Sequence, residues 1–300
     1  MTETVSVIIP TMATAARAGA LERVLASLRS QVGAKALPIV VANGSSRDRE
    51  VVEWLSRRRD LHLIEREEGS LAKAVAQGRT TVETEFFSIL DDDDEYLPEA
   101  LAIRVSAMES AERPDVAVTS GFRQIGGSDE PCLPDIESFA RDPIAALVQV
   151  NWLASCAGLY RTDSIGAEFF ATMPNYLEWT YVAFVLALEK RIAFVGRPTY
   201  RIHTETPGSL SKSRQMLLET PSVLRRILEL ELPVSVRPQM ERKYRGALHQ
   251  AADFELRDRR LVSAWKLHWK SLAYGRGLRY LPFTRHFIRA AAVTLLRTAP

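Results

Sequence analysis

Short apolar runs alternate with helix-like repeats of apolar positions over the first 125 residues. Runs that predict buried strands occur at Val5–Ile9, Leu37–Val41, Leu61–Ile64, Phe86–Leu90 and Val116–Thr119. Between them, apolar residues recur at the spacing of a helix face and predict helices over residues 18–32, 51–55, 69–81 and 98–110. This strand–helix alternation predicts an α/β fold with a doubly wound, mostly parallel sheet.

The pattern changes after residue 125. Residues 126–150, rich in Gly and Pro, predict a loop and a short helix. A long apolar helix is predicted over Leu177–Lys190, two short strands at Ile192–Val195 and Thr199–Ile202, and then a polar loop. Beyond the loop the pattern is helical to the end. We therefore predict one domain over residues 1–212 and a helical C-terminal extension over residues 213–300.

Composition narrows the class of protein. The chain has 300 residues, of which 46% are hydrophobic and 25% are charged, a balance typical of a globular protein with one large domain and an appendage. Cys132 and Cys156 do not have the spacing of a metal site, and a reduced compartment is the default for them. No basic-then-apolar leader begins the sequence, and no apolar run approaches the roughly 20 residues that span a bilayer. We expect a cytoplasmic protein.

The C-terminal tail is strongly basic. Residues 259–300 contain nine Lys or Arg and no Asp or Glu, and since the whole chain has a net charge of +2, residues 1–258 carry −7. Aromatic and aliphatic residues such as Trp265 and Trp269 lie between the basic ones, which is typical of a helix at an anionic membrane surface. We expect peripheral attachment at the inner face of the membrane. Packing of the tail on the first domain, or on a second subunit in a homodimer, is the alternative; a nucleic acid is not expected, because no binding motif accompanies the charge.

Four consecutive aspartates, Asp91–Asp94, follow the apolar strand Phe86–Leu90. Carboxylates at the C-terminal end of such a strand lie in the crevice where open α/β sheets bind ligands. Adjacent carboxylates repel one another unless they are solvated, capped onto a helix or neutralised by a cation. An N-cap role on the next helix explains Asp94, but it leaves the other three unexplained. The run therefore predicts a ligand or metal site.

Several motifs occur in a fixed order around this run. They are Val5-Ser-Val-Ile-Ile-Pro-Thr11, Val40-Val-Ala-Asn-Gly-Ser45, Phe86 to Pro98 with the aspartates, Leu177-Glu-Trp179, and Tyr200-Arg-Ile-His203 with Ser209-Leu-Ser211. Over residues 4–212 this set resembles the family 2 glycosyltransferases, which have the GT-A fold and invert configuration. The resemblance implies metal-dependent transfer of a sugar from a nucleotide diphosphate sugar to an acceptor hydroxyl. By family habit the acceptor is a glycan or a lipid-linked glycan, in cell-surface polysaccharide or glycolipid synthesis.

The aspartates take the place of the family's DxD motif. That resemblance implies that Asp91 and Asp92 contact the donor, with Asp91 at the ribose or the metal, and that Asp93 is the main metal ligand. Mg²⁺ or Mn²⁺ suits hard carboxylate oxygens and leaves positions open for phosphate oxygens. His203 is implied as a further ligand or a diphosphate contact. A lone histidine is often structural, so both interpretations of His203 stay open.

The resemblance also implies a nucleoside site at Pro10, Thr11, Asn43 and Lys73. Asn43 stands where the family usually has an aspartate, which leaves the base undefined, and an Asn-Gly turn is the alternative interpretation. Thr11 alone also fits an ordinary turn hydroxyl. Val75 and Ala76 replace the family's usual Arg-Asn pair, which makes Lys73 the candidate for the positive charge, with a solvated helix lysine as the alternative interpretation.

Glu178 precedes Trp179 and takes the place of the family's catalytic aspartate. A carboxylate there would remove the proton of the acceptor hydroxyl; an acid favoured by the helix dipole is the alternative. Ser209 and Ser211 are implied in a lid over the phosphates, with an ordinary mobile loop as the other interpretation.

Two other functions fit parts of the sequence. A sugar nucleotidyltransferase would need a glycine-rich basic loop after the first strand, where the chain offers only Arg17 and Gly19. A binding or scaffold protein on a degenerate glycosyltransferase fold is favoured by the altered positions Asn43 and Glu178. The intact aspartate run argues against that degeneration.

Overall fold

The computed structural model describes residues 2–110, 112–204 and 214–289. Its contacts divide the chain into two compact units, Met1–Ser209 and Leu210–Pro300. The domain boundary predicted at residue 212 lies outside the described residues, so that boundary stays a prediction.

The N-terminal unit alternates strands and helices. Its strands are β1 (Glu3–Thr11), β2 (Ala34–Asn43), β3 (His62–Arg66), β4 (Phe86–Ile89), β5 (Glu95–Tyr96), β6 (Val116–Ile125), β7 (Ser128–Pro131), β8 (Gly158–Arg161) and β9 (Ile192–His203). Its α-helices are α1 (Ala15–Arg29), α2 (Arg49–Ser56), α3 (Leu71–Thr80), α4 (Ala100–Met108), α5 (Pro143–Gln149), α6 (Glu168–Ala171) and α7 (Glu178–Glu189). Two 3₁₀ segments, Ile136–Arg141 and Ser155–Ala157, complete it.

The strands form one mixed sheet in the order β3-β2-β1-β4-β8-β6-β9-β5, with β7 paired to β6. Strands β3, β2, β1 and β4 are all parallel, as are β6 and β9. The side chains of β1 and β4 are buried through almost their whole length, as expected of parallel strands covered on both faces. The predicted α/β class, with parallel strands in the first half of the sheet, is confirmed.

The second half of the sheet differs from the sequence prediction. Strand β8 is antiparallel to both β4 and β6 and separates them, so the predicted fifth strand does not adjoin the fourth. Residues 126–127 turn β6 back into the hairpin strand β7 instead of opening a long loop. The two short strands predicted after residue 190 form one strand, β9, which follows β6 across register shifts near Thr119 and Ser120.

The C-terminal unit is helical over its described residues. It contains α8 (Arg214–Leu228), α9 (Arg237–Arg257), α10 (Leu261–Ala273) and a 3₁₀ segment, Gly277–Phe283, followed by helical residues 284–289. Ala252, Ala264 and Phe287 form a buried cluster on which Trp265 and Phe283 pack. Across the described ranges of both units, we find no helix with the length and apolar character needed to cross a membrane.

Candidate active site

Strands β1 and β4 bring Thr11 and the aspartate run to the same edge of the sheet. Ile8 of β1 pairs with Ile89 of β4, so three residues further along each chain Thr11 comes opposite Asp92. The Thr11 hydroxyl donates to Asp92 Oδ2 over 2.6 Å and accepts from the Ala13 backbone N–H over 3.0 Å. Thr11 is therefore both a turn hydroxyl and a partner of the aspartates, the two interpretations that the sequence left open.

Arg17, in the first turn of α1, joins two of the aspartates. Its Nη1 lies 3.1 Å from Asp92 Oδ1 and 2.8 Å from Asp93 Oδ2. Arg23, further along the same helix, donates to the backbone oxygen of Asp93 over 3.0 Å. Helix α1 therefore supplies the positive charge next to the run. Burial raises the pKa of Asp92 even though the Thr11 hydrogen bond and the charge of Arg17 lower it.

Asp91 has a different partner. The Ser155 hydroxyl, in the 3₁₀ segment before β8, donates to Asp91 Oδ2 over 2.6 Å. Burial raises the pKa of Asp91 to about 7, and repulsion from Asp93, Asp92 and Glu178 adds to the rise. A carboxyl group that holds its proton up to neutral pH is one whose surroundings lack compensating positive charge.

Asp94 is not the N-cap of the following helix. Helix α4 begins at Ala100, and its N-cap residue is Glu99, which has a left-handed backbone (φ 62°). Asp94 is 4% exposed and accepts a hydrogen bond from the His203 backbone N–H over 3.1 Å. The reason for the difference is that Glu95 and Tyr96 form the short strand β5 against β9, which separates the aspartates from the helix. Burial raises the pKa of Asp94 well above its usual value, and Asp91 and Asp93 raise it further.

His203 ends β9 beside the run. Its Nδ1 lies 2.9 Å from Gln124 Oε1 and its Nε2 lies 3.6 Å from Glu95 Oε1. Burial lowers the pKa of the imidazole, and the charge of Arg23 lowers it further, which favours the neutral ring. A neutral imidazole has the protonation state that a metal ligand needs.

Glu178 is the first residue of α7 and lies near Asp91. Its negative charge is among the causes of the raised pKa of Asp91. Its Oε1 accepts from the Tyr176 backbone N–H over 2.8 Å. Tyr176 and Leu177 both have left-handed backbones, with φ of 65° and 50°, which non-glycine residues adopt at a cost. The chain therefore enters α7 through a strained turn whose backbone holds the Glu178 carboxylate.

The other predicted donor residues lie on neighbouring elements. Pro10 sits within β1 opposite Val41 of β2. Asn43 ends β2, and its Oδ1 accepts from the Ser70 backbone N–H over 3.1 Å, which joins the end of β2 to the start of α3. Lys73, in the first turn of α3, is half-exposed and its Nζ lies 2.5 Å from Glu68 Oε1. This hydrogen bond gives the Asn43 amide a structural partner at the start of α3.

Two predicted residues, Ser209 and Ser211, lie outside the described residues. Three residues that touch the aspartates were not predicted as site residues: Arg17, Arg23 and Ser155. Of these three residues, only Arg17 could have been found from the sequence, because it is the first basic residue after β1. Ser155 lies 64 residues from its partner in a segment without a clear pattern, and the sequence carries no signal for it.

The donor set fits a divalent cation that arrives with phosphate. Within residues 2–110, 112–204 and 214–289, no three His, Cys, Asp or Glu side chains are already arranged around a common metal position. Mg²⁺ and Mn²⁺ need no such cage in enzymes of phosphorylated substrates, since one or two carboxylates suffice and phosphates and water complete the shell. Asp91 and Asp93 can supply those carboxylates. The raised pKa values of Asp91, Asp92 and Asp94 indicate a place that a cation would stabilise.

Comparison with known proteins gives one family and one fold. Residues 6–145 match the family model described as glycosyl transferase family 2. The structure is similar to TarS 1–349 of S. aureus in complex with UDP-GlcNAc, with a TM-score of 0.64 and 17% identity over 97% of this chain and 87% of the other. It is also similar to the mannosyltransferase PcManGT of Pyrobaculum calidifontis in complex with GDP-Man and Mn²⁺, with a TM-score of 0.52 and 16% identity over 100% of this chain and 89% of the other. No curated protein sequence matches the chain.

Proposed function

We propose that this chain, whose residues 6–145 match the glycosyl transferase family 2 model, transfers a sugar from a nucleotide diphosphate sugar to an acceptor hydroxyl with inversion. The observation that carries the proposal is the buried aspartate run at the end of β4. Its carboxylates meet Thr11 and Arg17 on one side, and it lies close enough to Glu178 for the two charges to interact. The site therefore has charged side chains suited to a cation and a diphosphate leaving group, and a carboxylate suited to act as the base.

The leaving group sets the first requirement of the reaction. When the bond between the anomeric carbon and the diphosphate oxygen breaks, negative charge grows on the diphosphate. A bound Mg²⁺ or Mn²⁺ supplies Lewis-acid stabilisation of that charge. Asp91 and Asp93 would hold the ion, and the neutral ring of His203 supports it as a further ligand.

Donor recognition is proposed along the ends of β1 and β2. Asp91 and Asp92 would contact the ribose side of the donor, with Pro10 and Thr11 below the nucleoside. Asn43 and Lys73 lie at the end of β2 and the start of α3, where a base would reach. The amide of Asn43 can both donate and accept, so it suits a pyrimidine edge as well as a purine one. Ser209 and Ser211 are proposed at the phosphates from the sequence resemblance alone.

Glu178 is proposed as the base. As the acceptor oxygen attacks the anomeric carbon, its proton would pass to the Glu178 carboxylate while the diphosphate departs from the opposite face. One displacement of this kind inverts the configuration and needs no covalent enzyme intermediate. The hydrogen bond from the Tyr176 N–H to Oε1 keeps the carboxylate oriented and leaves Oε2 for the acceptor proton.

The acceptor is proposed to be a glycan or a lipid-linked glycan used at the inner face of the membrane. Support comes from the surface of the C-terminal unit, where exposed apolar side chains alternate with basic ones. On α10, Val262 and Trp269 are 71% and 58% exposed and lie beside Lys266 and Lys270. Aromatic and basic residues on one helix face suit the headgroup region of an anionic bilayer. A homodimer stays a prediction.

Donor turnover tests the proposed function. The protein is incubated with UDP-, dTDP- and GDP-linked hexoses, each with Mn²⁺ or with EDTA, and release of the nucleoside diphosphate is measured. We expect release from one nucleotide class, and only with the metal. Release that EDTA leaves unchanged would contradict the metal dependence, and an absence of release from all three would contradict the proposed donor.

A further inference from the structure

Arg17 forms ion pairs with two carboxylates of the aspartate run. Its side chain is 15% exposed, and one nitrogen, Nη1, bridges Asp92 Oδ1 and Asp93 Oδ2. Arg23 donates to the backbone oxygen of Asp93 rather than to a carboxylate. Arg17 therefore holds the position next to Asp93 Oδ2 that a bound cation would need.

We propose that Arg17 is an internal counter-cation that guards the metal position until the donor arrives. This inference rests on the proposed function, because it takes Asp93 as a metal ligand. In the donor-free protein the guanidinium bridges Asp92 and Asp93 and offsets one of their two negative charges. The divalent ion binds only when Arg17 leaves Asp93, so the metal and the donor bind together, and the metal alone binds weakly.

Electrostatics gives the reason for the exclusion. A divalent ion on Asp93 Oδ2 would lie within a few ångströms of a guanidinium that itself is 2.8 Å from that oxygen. Two positive groups this close repel strongly in a partly buried site, where solvent screens them little. Arg17 already occupies the place next to Asp93 Oδ2, so a cation can bind there only if Arg17 moves to another anion.

The donor supplies that anion. A diphosphate brings negative oxygens to the same edge of the sheet, and the planar guanidinium forms paired hydrogen bonds with phosphate at least as well as with carboxylate. Arg17 lies in the first turn of α1, and its long side chain can move from Asp93 to a phosphate without moving the helix. Arg17 would then stabilise the same diphosphate charge that grows when the donor bond breaks.

The experiment measures Mn²⁺ binding by the paramagnetic signal of the free ion, first without nucleotide. The variant is Arg17→Met, which removes the charge and keeps the aliphatic stem. The control is Arg29→Met on the same helix, where the arginine is 48% exposed and pairs with Asp60 instead. We expect Arg17→Met to bind Mn²⁺ alone about tenfold tighter than the unaltered protein, because one close positive charge is removed. Arg29→Met should bind as the unaltered protein does.

A second series repeats the titration with UDP, dTDP and GDP. The unaltered protein should gain Mn²⁺ affinity with one of them, and Arg17→Met should gain less, because its metal site is already open. Arg17→Gln, which lacks the charge but keeps a hydrogen-bond donor, should behave like Arg17→Met, and it serves as the test if the methionine variant does not fold. Equal or weaker Mn²⁺ binding by folded Arg17 variants without nucleotide would overturn the guard role and leave the proposed function intact. An absence of nucleotide-linked Mn²⁺ binding in the unaltered protein would instead overturn the proposed function.

Discussion

The two units of the chain treat ionisable side chains in opposite ways. In the N-terminal unit, Asp91, Asp92 and Asp94 lie within four consecutive positions, are buried or partly buried, and have raised pKa values. In the C-terminal unit the buried acid, Glu255, is 3% exposed and pairs with Arg214 over 2.5 Å. The aspartate run has more negative than positive charge around it, whereas Glu255 has a partner of opposite charge.

This difference in the surroundings of buried acids is the one expected between a binding site and a structural interior. A cluster of buried carboxylates destabilises the protein that carries it, and such clusters occur where a ligand or a reaction uses the charge. A buried ion pair and neutral stacked rings need no ligand. His268 in the C-terminal unit stacks on Phe287 with ring centroids 4.6 Å apart, and His249 stacks on Tyr280 at 4.2 Å. We therefore expect the chemistry in the N-terminal unit.

The largest effect is expected at Asp93. Asp93→Asn removes the negative charge of the main proposed metal ligand and keeps the size of the side chain. We expect metal-dependent nucleotide binding to weaken at least about a hundredfold, since metal affinity follows ligand charge. Calorimetric titration measures this, with the exposed Asp60→Asn as the control. Unchanged affinity in Asp93→Asn would exclude Asp93 as a metal ligand. The aspartate run would then have a structural role, as the paired acid Glu255 has in the C-terminal unit.

A selective effect is expected at Glu178. Glu178→Gln keeps the shape and the hydrogen bond from Tyr176 but cannot take a proton. We expect transfer to fall by about 10²- to 10⁴-fold, the usual contribution of a general base, while donor binding stays the same. Single-turnover transfer and donor titration on the same sample measure the two quantities. A variant that retains full transfer would exclude Glu178 as the base.

A moderate effect is expected on the surface of α10. The double change of Lys266 and Lys270 to Ala should weaken binding to vesicles with anionic lipid by about tenfold or more, because each basic residue near such a surface contributes about 1 kcal/mol. Arg225 and Arg242 changed to Ala remove the same charge from exposed positions on α8 and α9 and should have less effect. Vesicle co-sedimentation at low and physiological salt measures both. Equal loss in the two double variants would favour a packing role for the basic tail.

The smallest effect is expected on stability against pH, and it has opposite signs in the two units. Burial lowers the pKa of His249 and His268, so the unfolded C-terminal unit binds more protons and should lose stability as the pH falls below about 6.5. Asp91 has its pKa raised to about 7, so the ligand-free N-terminal unit should lose stability as the pH rises from about 4 to 7. Hydrogen exchange at pH 5 and pH 7.5 resolves the units. Stability changes of the same sign in both units would contradict the predicted difference between them.

The first half of the fold follows from the sequence because its strands are uniform apolar runs. Strands β1 to β4 and the helices between them were predicted to within a few residues at most ends. Strand β8 was missed because it has four residues and contains Arg161, and nothing in its pattern indicates an antiparallel partner. The match of residues 6–145 to the glycosyl transferase family 2 model supports the predicted class of enzyme, whereas the roles of Asp91, Asp93 and Glu178 stay predictions.

The site was predictable where chemistry is local and unpredictable where it depends on distant contacts. The aspartate run was visible because its four charges are consecutive. Arg17 and Ser155 reach it from 75 and 64 residues away, and only the folded sheet brings them together. Asp94 was assigned to a helix cap because the sequence does not reveal that β5 pairs with β9 in between.

Calorimetric titration of the unaltered protein with UDP, dTDP and GDP, each with Mn²⁺ and with EDTA, decides whether the aspartate run is a nucleotide-sugar site. We predict that one of them binds, that it binds only with Mn²⁺, and that Asp93→Asn weakens that binding at least about a hundredfold. Failure of all three to bind with Mn²⁺ would contradict the claim that the aspartate run is a nucleotide-sugar site.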